Sequence, residues 1–339
     1  MSLLAVKDLS VKIGGNFVLD KINFELKSGE ILALTGESGS GKSMTALALM
    51  QLLPQKAACS GSIRLEGKEI VGLDDRALCS LRGAQVSMVF QEPMTALNPV
   101  KTIGNQVMEA LLEHGMARKG DAYHKAAQVL ERVGLPPSKV PLNSYPHQLS
   151  GGQRQRVVIA MAIALRPKLL IADEPTTALD VTIQARILEI LKSLREELDV
   201  SVLFITHDLG VVAEIADRIV VMYRGKIVEE GRVKEIFSNP KHPYVKGLLA
   251  CRPTLDCKYE TLPTVDDFLE TIENEDGTIE IREKKNVKST LEGLVQDQQT
   301  QEDELTKPLV EVQNLTVCFR SPKGFLGGKN EEVRAVDGI

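Results

Sequence analysis

Eight residues, Gly36-Glu37-Ser38-Gly39-Ser40-Gly41-Lys42-Ser43, have the types and spacing to hold a phosphate. They fit the pattern G-x-x-x-x-G-K-[ST], in which glycines let backbone N–H groups turn inward around an anion with no Cβ in the way. A helix following such a loop adds its unpaired N–H groups and positive dipole end. Lys42 would then supply a point charge to the β- and γ-phosphates, and the Ser43 hydroxyl a ligand for Mg²⁺. The stretch Ser150-Gly151-Gly152-Gln153, placed at a helix start, is a second anion site by the same physics. Two such sites far apart in one chain require an explanation. The acidic pair Asp173-Glu174 closes an apolar run, so Asp173 would hold Mg²⁺ and Glu174 would polarise an attacking water. His207 and Gln91 also follow apolar runs. Each on its own is more often structural or solvated, and gains meaning only beside the other motifs.

These side chains need a sheet to carry them. The runs 31–34, 86–90, 169–172 and 201–206 are short, apolar and bounded by turn residues, as buried strands of a parallel sheet are. Each delivers a chemical group to its carboxyl end, where open α/β sheets bind ligands. Residues 44–50, 154–165 and 183–198 have helical patterning. Residues 3–11 and 18–26 alternate apolar and polar residues across Gly14-Gly15, which predicts an antiparallel pair with one buried face. A further hairpin is expected at 61–68 and a last one at 219–223 with 226–230. Between about 95 and 153 the pattern turns helical, over 103–113 and 123–133.

Composition sets the outer bounds. With 43% hydrophobic and 26% charged residues the 339-residue chain has ample core for one large or two ordinary domains. A formal net charge of −5 lacks the basic balance expected of a nucleic-acid binder. Five cysteines, Cys59, Cys79, Cys251, Cys257 and Cys318, form no paired framework and are expected to be reduced thiols. The longest apolar stretch, 157–165, is far short of the ~20 residues that span a bilayer. The first eight residues do not resemble a signal peptide, so any membrane role is expected to come through a partner.

The ordered series of residues 36–43, Gln91, Leu149-Ser150-Gly151-Gly152-Gln153, Asp173-Glu174, Ala178-Leu179-Asp180 and His207 resembles the ATP-binding cassette (ABC) ATPases. Phe90-Gln91-Glu92-Pro93-Met94-Thr95-Ala96-Leu97-Asn98-Pro99, Tyr145-Pro146-His147-Gln148 and His242-Pro243-Tyr244 look like the oligopeptide/dipeptide importer branch. The resemblance implies an α/β P-loop NTPase fold: a RecA-like core with a parallel sheet, an antiparallel β subdomain and an α-helical insert. It also implies ATP and Mg²⁺, with Ser43, Gln91 and Asp173 around the metal and Lys42, Gln91, Glu174 and His207 at the catalytic centre. Two cassettes meet head to tail in the family, so Ser150, Gly151, Gly152 and Gln153 of one copy would cap ATP held by the other, with Asp180 at the seam. That arrangement accounts for the second anion site. Further implications are transmembrane permease subunits, a solute-binding protein acting indirectly, and a peripheral place on the cytoplasmic face of the cell membrane. Related cassettes handle nickel complexes and glutathione-like solutes as well as peptides, and a soluble cassette ATPase is a further alternative. One position departs from the pattern: where the family stacks an aromatic on adenine this chain has Ile13, with Phe17 four residues on. Either Phe17 swings in, or Ile13 gives apolar contact alone and Phe17 is core.

The cassette is expected over residues 1–250. From 260 to 305 there are fourteen Asp/Glu against four Lys/Arg, which reads as part of a flexible acidic linker (251–306) with a short hairpin where residues 278–281 follow Asp276-Gly277. Cys251 and Cys257 cannot between them supply the four thiolates of an iron–sulfur centre. Residues 309–319 then repeat 3–13, and 335–339 repeat 18–22, with Phe319 standing where Ile13 stood. Residues 307–339 are therefore expected to begin a second cassette, of which this chain would hold only the start.

Overall fold

The strand β1 (Ser2–Ile13) returns through Gly14 and Gly15, both at positive φ, as β2 (Asn16–Lys27), in which buried and exposed residues alternate from Ile22 to Lys27. A two-residue hairpin loop of that kind needs left-handed backbone at both positions, which glycine supplies without strain. The computed structural model describes residues 2–177, 179–251, 264–273, 279–284, 310–321 and 331–339. β4 (Ala57–Leu65) joins the other side of β1 and turns back as the short β5 (Lys68–Glu69), giving an antiparallel sheet of order β2-β1-β4-β5. This is the expected β subdomain.

The second sheet contains β3 (Ile31–Thr35), β6 (Val86–Val89), β7 (Leu169–Asp173), β8 (Ser201–Ile205), β9 (Arg218–Tyr223) and β10 (Lys226–Arg232), in the order β10-β9-β3-β8-β7-β6. All neighbours pair in parallel except β10, which closes a hairpin on β9. Every residue of β3, β6, β7 and β8 is buried, as unbroken apolar runs require of strands covered on both faces. Alternate side chains serve different cores. Leu32, Leu34, Leu169, Ile171, Leu203 and Ile205 pack with Leu4, Val6 and Leu26 of the antiparallel sheet. Ile31, Leu170, Ala172, Val202 and Phe204 face the opposite way, into the core shared with the helices.

α1 (Lys42–Leu49) follows β3 directly, and α2 (Asp75–Leu81) precedes β6. The helical insert comprises α3 (Pro93–Ala96), α4 (Ile103–Glu113) and α5 (Lys119–Arg132), packed on α6 (Gly151–Ile163). α7 (Val181–Leu198), α8 (Leu209–Ile215), α9 (Val233–Ser238) and α10 (Pro243–Ala250) follow. Four helices start earlier than their apolar periodicity indicates. α1 opens at Lys42 rather than 44, α5 at Lys119 rather than 123, α6 at Gly151 rather than 154, and α7 at Val181 rather than 183. For α6 and α7 the reason is a cap: Ser150 accepts from the Gln153 N–H at 3.3 Å and Asp180 from the Ile183 N–H at 2.9 Å. Later in the chain, α11 (Val265–Phe268) and β11 (Leu269–Glu273) return against α10, with Phe268 and Leu269 buried. β11 pairs with β12 (Ile279–Glu283), the hairpin expected there; its turn at Asp276-Gly277 lies outside the described residues. β13 (Thr316–Ser321) and β14 (Glu331–Asp337) pair with each other. No helix among the described residues is long and apolar enough to cross a membrane.

Candidate active site

The sheet order places the chemical groups side by side. β3 leads into the loop 36–43, its neighbour β8 into His207, the next strand β7 into Asp173-Glu174 and the next, β6, toward Gln91. The loop between β3 and α1 is shaped by close packing. A Cβ on Gly36 would stand 2.1 Å from the Met222 carbonyl, and one on Gly41 2.7 Å from the Leu19 side chain. Gly39, at φ +80, faces open space, as a cradle for an anion requires. The turn Arg224-Gly225 ties this loop to β2, since Gly225 N–H donates to Ser40 O and Asp20 N–H to Gly225 O. Lys42 is buried, its Nζ donating to Gly36 O at 2.7 Å and Glu37 O at 2.9 Å. Burial lowers its pKa, while Glu174, Asp173 and Glu37 pull it back up.

Ser43 Oγ donates to Asp173 Oδ1 at 3.2 Å. Burial pushes the Asp173 carboxyl above the ordinary range, against the Ser43 hydrogen bond and with help from the neighbouring Glu174 charge. A hydroxyl and a buried carboxylate in contact are the hard oxygen donors that Mg²⁺ prefers, so the residues fit that ion. Glu174 is the most heavily partnered group. Gln91 Nε2 donates to its Oε2 at 3.1 Å, Thr177 Oγ1 to Oε2 at 2.8 Å, and His207 Nδ1 lies 3.2 Å from its Oε1. Burial pushes the Glu174 carboxyl up, but the Thr177 and His207 hydrogen bonds and the Lys42 charge outweigh it and hold it below the usual range. Glu174 is thus an ionised acceptor, suited to take a proton from water. An ionised carboxylate only accepts, so Nδ1 of His207 carries the proton in this contact. Neutral His207 then has no second N–H for a phosphate; donating to both requires the imidazolium, or release of Glu174. Glu174 also sits at φ 46, an uncommon backbone conformation for a glutamate, held by its N–H to Ile205 O at 2.9 Å.

The second anion motif stands apart from this cluster. Ser150 and Gln153 form a reciprocal capping box, with Ser150 N–H donating to Gln153 Oε1 at 2.9 Å. Gly151 is exposed, whereas Gly152 is buried against α7, where a Cβ would meet Ile183 at 2.5 Å. Asp180 is exposed at the start of α7, and Ala178 lies outside the described residues. Ile13 ends β1, half-buried. Phe17 is 52% exposed with the Lys12 ammonium 4.1 Å over its ring, so it is not core. Its neighbour Val18 offers a carbonyl 3.1 Å from where a Gly41 Cβ would stand, which sets Phe17 beside the phosphate loop. Sequence reasoning missed Thr177, visible only as a hydroxyl three residues after Glu174. It also missed Met222, and it singled out Tyr244 only within the motif His242-Pro243-Tyr244; no local pattern exists for the contacts of either with the loop.

The profile of the ABC transporter family matches residues 19–177, and that of the oligopeptide/dipeptide transporter C-terminal region matches 228–276. The oligopeptide transport ATP-binding protein OppD of Bacillus subtilis is 52% identical over 264 residues, covering 76% of this chain and 74% of its own. This chain belongs to the ABC transporter ATPases. OppD of Escherichia coli is 47% identical over 268 residues, covering 78% of this chain and 80% of its own. Among solved structures, a dimeric ATP-binding cassette in a post-hydrolysis state with ADP and Pi aligns at a TM-score of 0.60 and 31% identity, over 68% of this chain and 98% of that one. The cassette therefore binds ATP and hydrolyses it, on the P-loop α/β fold.

Proposed function

We propose that this cassette energises the import of oligopeptides, with Glu174 as the base that activates water. The observation that carries the catalytic part is the Glu174 carboxylate, ionised and aimed by Gln91, Thr177 and His207 beside Lys42, Ser43 and Asp173. The peptide cargo rests on the C-terminal region match and on what the relatives are called. The loop residues 36–43 bind the phosphates, and Ile13 or Phe17 meets the adenine; the exposure of Phe17 favours the latter. Ser43 and Asp173, with Gln91 near, would hold Mg²⁺, which neutralises phosphate charge when bound. Little covalent chemistry is required of the protein, so positioning and charge stabilisation dominate.

In this reading the cassette works as a pair, with Ser150, Gly151, Gly152 and Gln153 closing the other copy's nucleotide and Asp180 at the seam. It sits peripherally at the cytoplasmic face of the membrane on transmembrane permease subunits, fed by a solute-binding protein. Residues 1–250 form this cassette, 251–306 its extension and acidic linker, and 307–339 the beginning of a second cassette. The last assignment is supported by the repeated sequence and by the antiparallel pairing of β13 with β14. The test is the mass of Glu174→Gln in solution with and without Mg-ATP, by light scattering. A monomer-to-dimer shift supports capping between two copies; a persistent monomer with ATP bound assigns the capping to a second, different cassette.

A further inference from the structure

Tyr244 lies 207 residues from the phosphate loop in sequence and is fully buried against it. Its hydroxyl accepts from the Glu37 N–H at 3.1 Å, and its ring packs on Tyr223 with centroids 4.3 Å apart. Tyr223 directly follows Met222, whose carbonyl abuts Gly36, so ring and hydroxyl grip the same corner of the loop from two sides. The approach of Tyr244 is itself fixed. Glu229 accepts from the N–H groups of Lys241 and His242 at 2.8 Å each, and His242 Nδ1 accepts from the Tyr244 N–H at 3.1 Å, capping α10 at its first turn. From the far side, α10 is pressed inward where a Cβ on Gly247 would stand 3.1 Å from Phe268. The segment after the parallel sheet thus reaches the nucleotide cradle at the Tyr244 hydroxyl.

We propose that Tyr244 is a positioning residue for nucleotide binding: by accepting from Glu37 N–H it holds the entry of the phosphate loop in its ATP-receiving shape, and so lets the C-terminal extension set ATP affinity. No part of Tyr244 needs to touch the nucleotide. The inference rests on residues 36–43 being the phosphate cradle. It predicts an effect on binding, because the N–H that the Tyr244 hydroxyl holds belongs to the phosphate loop and not to the side chains gathered on Glu174.

The test is Tyr244→Phe in the full chain, which keeps the ring and removes only the hydroxyl. Losing one hydrogen bond of ordinary net worth should weaken ATP binding and raise KM about two- to tenfold, with kcat at saturating ATP held within about twofold. Amide hydrogen exchange at Glu37 should speed up in the same variant, while the melting temperature stays close to wild type. An unchanged KM and unchanged Glu37 exchange would overturn the proposal. Lys42→Ala separates it from the reading beneath it: if that variant still binds ATP like wild type, the cradle itself is misassigned. Should Tyr244→Phe fail to fold, wild-type exchange decides. Glu37 N–H must exchange more slowly than the exposed Ser38 and Gly39 amides, and equal rates would sink the idea.

Discussion

At the scale of single residues, the site separates two adjacent carboxylates by environment. Glu174 is held ionised by donors, whereas Asp173 is buried and biased toward its neutral form. A base of this kind contributes about 10²- to 10⁴-fold to rate, so Glu174→Gln should lose at least about a hundredfold in ATP turnover while retaining ATP binding. A filter-binding assay run beside phosphate release checks both, and equal turnover in the two proteins removes Glu174 from its role. For Asp173 the sign runs the other way. A carboxyl whose folded pKa is raised costs stability above its unfolded pKa, as pH rises and the charge must be carried in the fold. Asp173→Asn should therefore melt higher than wild type near pH 7, with the difference shrinking as pH falls toward 4, and should lose Mg²⁺-dependent turnover. Calorimetry across that range settles it. Lys42, Ser43, Glu174 and His207 were legible in the sequence because each terminates a recognisable run. Thr177 was not, because a threonine in a turn is read as solvated until its hydroxyl is seen on a carboxylate.

At the scale of elements, strands were easier to read than helix starts. An all-buried parallel strand shows as an unbroken apolar run, which fixed β3, β7 and β8 to within a residue. The first turn of a helix is set by a cap, and periodicity carries no trace of it. α6 therefore begins at the glycines themselves, and Gly152 has a structural duty of its own, packing against Ile183. With Ile183 2.5 Å from where a Cβ would stand, Gly152→Ala should cost about 1–3 kcal/mol through overpacking between α6 and α7. Urea unfolding measures it; a wild-type midpoint would show that α7 yields freely. α10 marks the opposite limit of sequence reading. His242-Pro243-Tyr244 was visible as a motif, but its hydrogen bond to Glu37 depends on two stretches 207 residues apart meeting.

At the scale of the whole molecule, the two sheets and the helical layer share one set of strands. Phe204, in β8, is fully buried in the core that runs from the insert through α6 and α7. Phe204→Ala should therefore lower global stability by about 3–5 kcal/mol, measured by denaturant unfolding with a single transition. The sheet order has a further consequence, for synthesis on the ribosome. β3 emerges early, yet its two neighbours are β8 and β9, and Ile31 pairs with Val202 and Leu32 with Arg218. A nascent chain that has released β3 and the phosphate loop but not yet residue 201 lacks both strands that flank β3 in the sheet. Contacts of such long range form late, and the apolar run stays open to chaperones meanwhile. Stalled chains ending shortly before β8 should be protease-sensitive and unable to retain ATP, and chains extended beyond α10 should acquire both properties together.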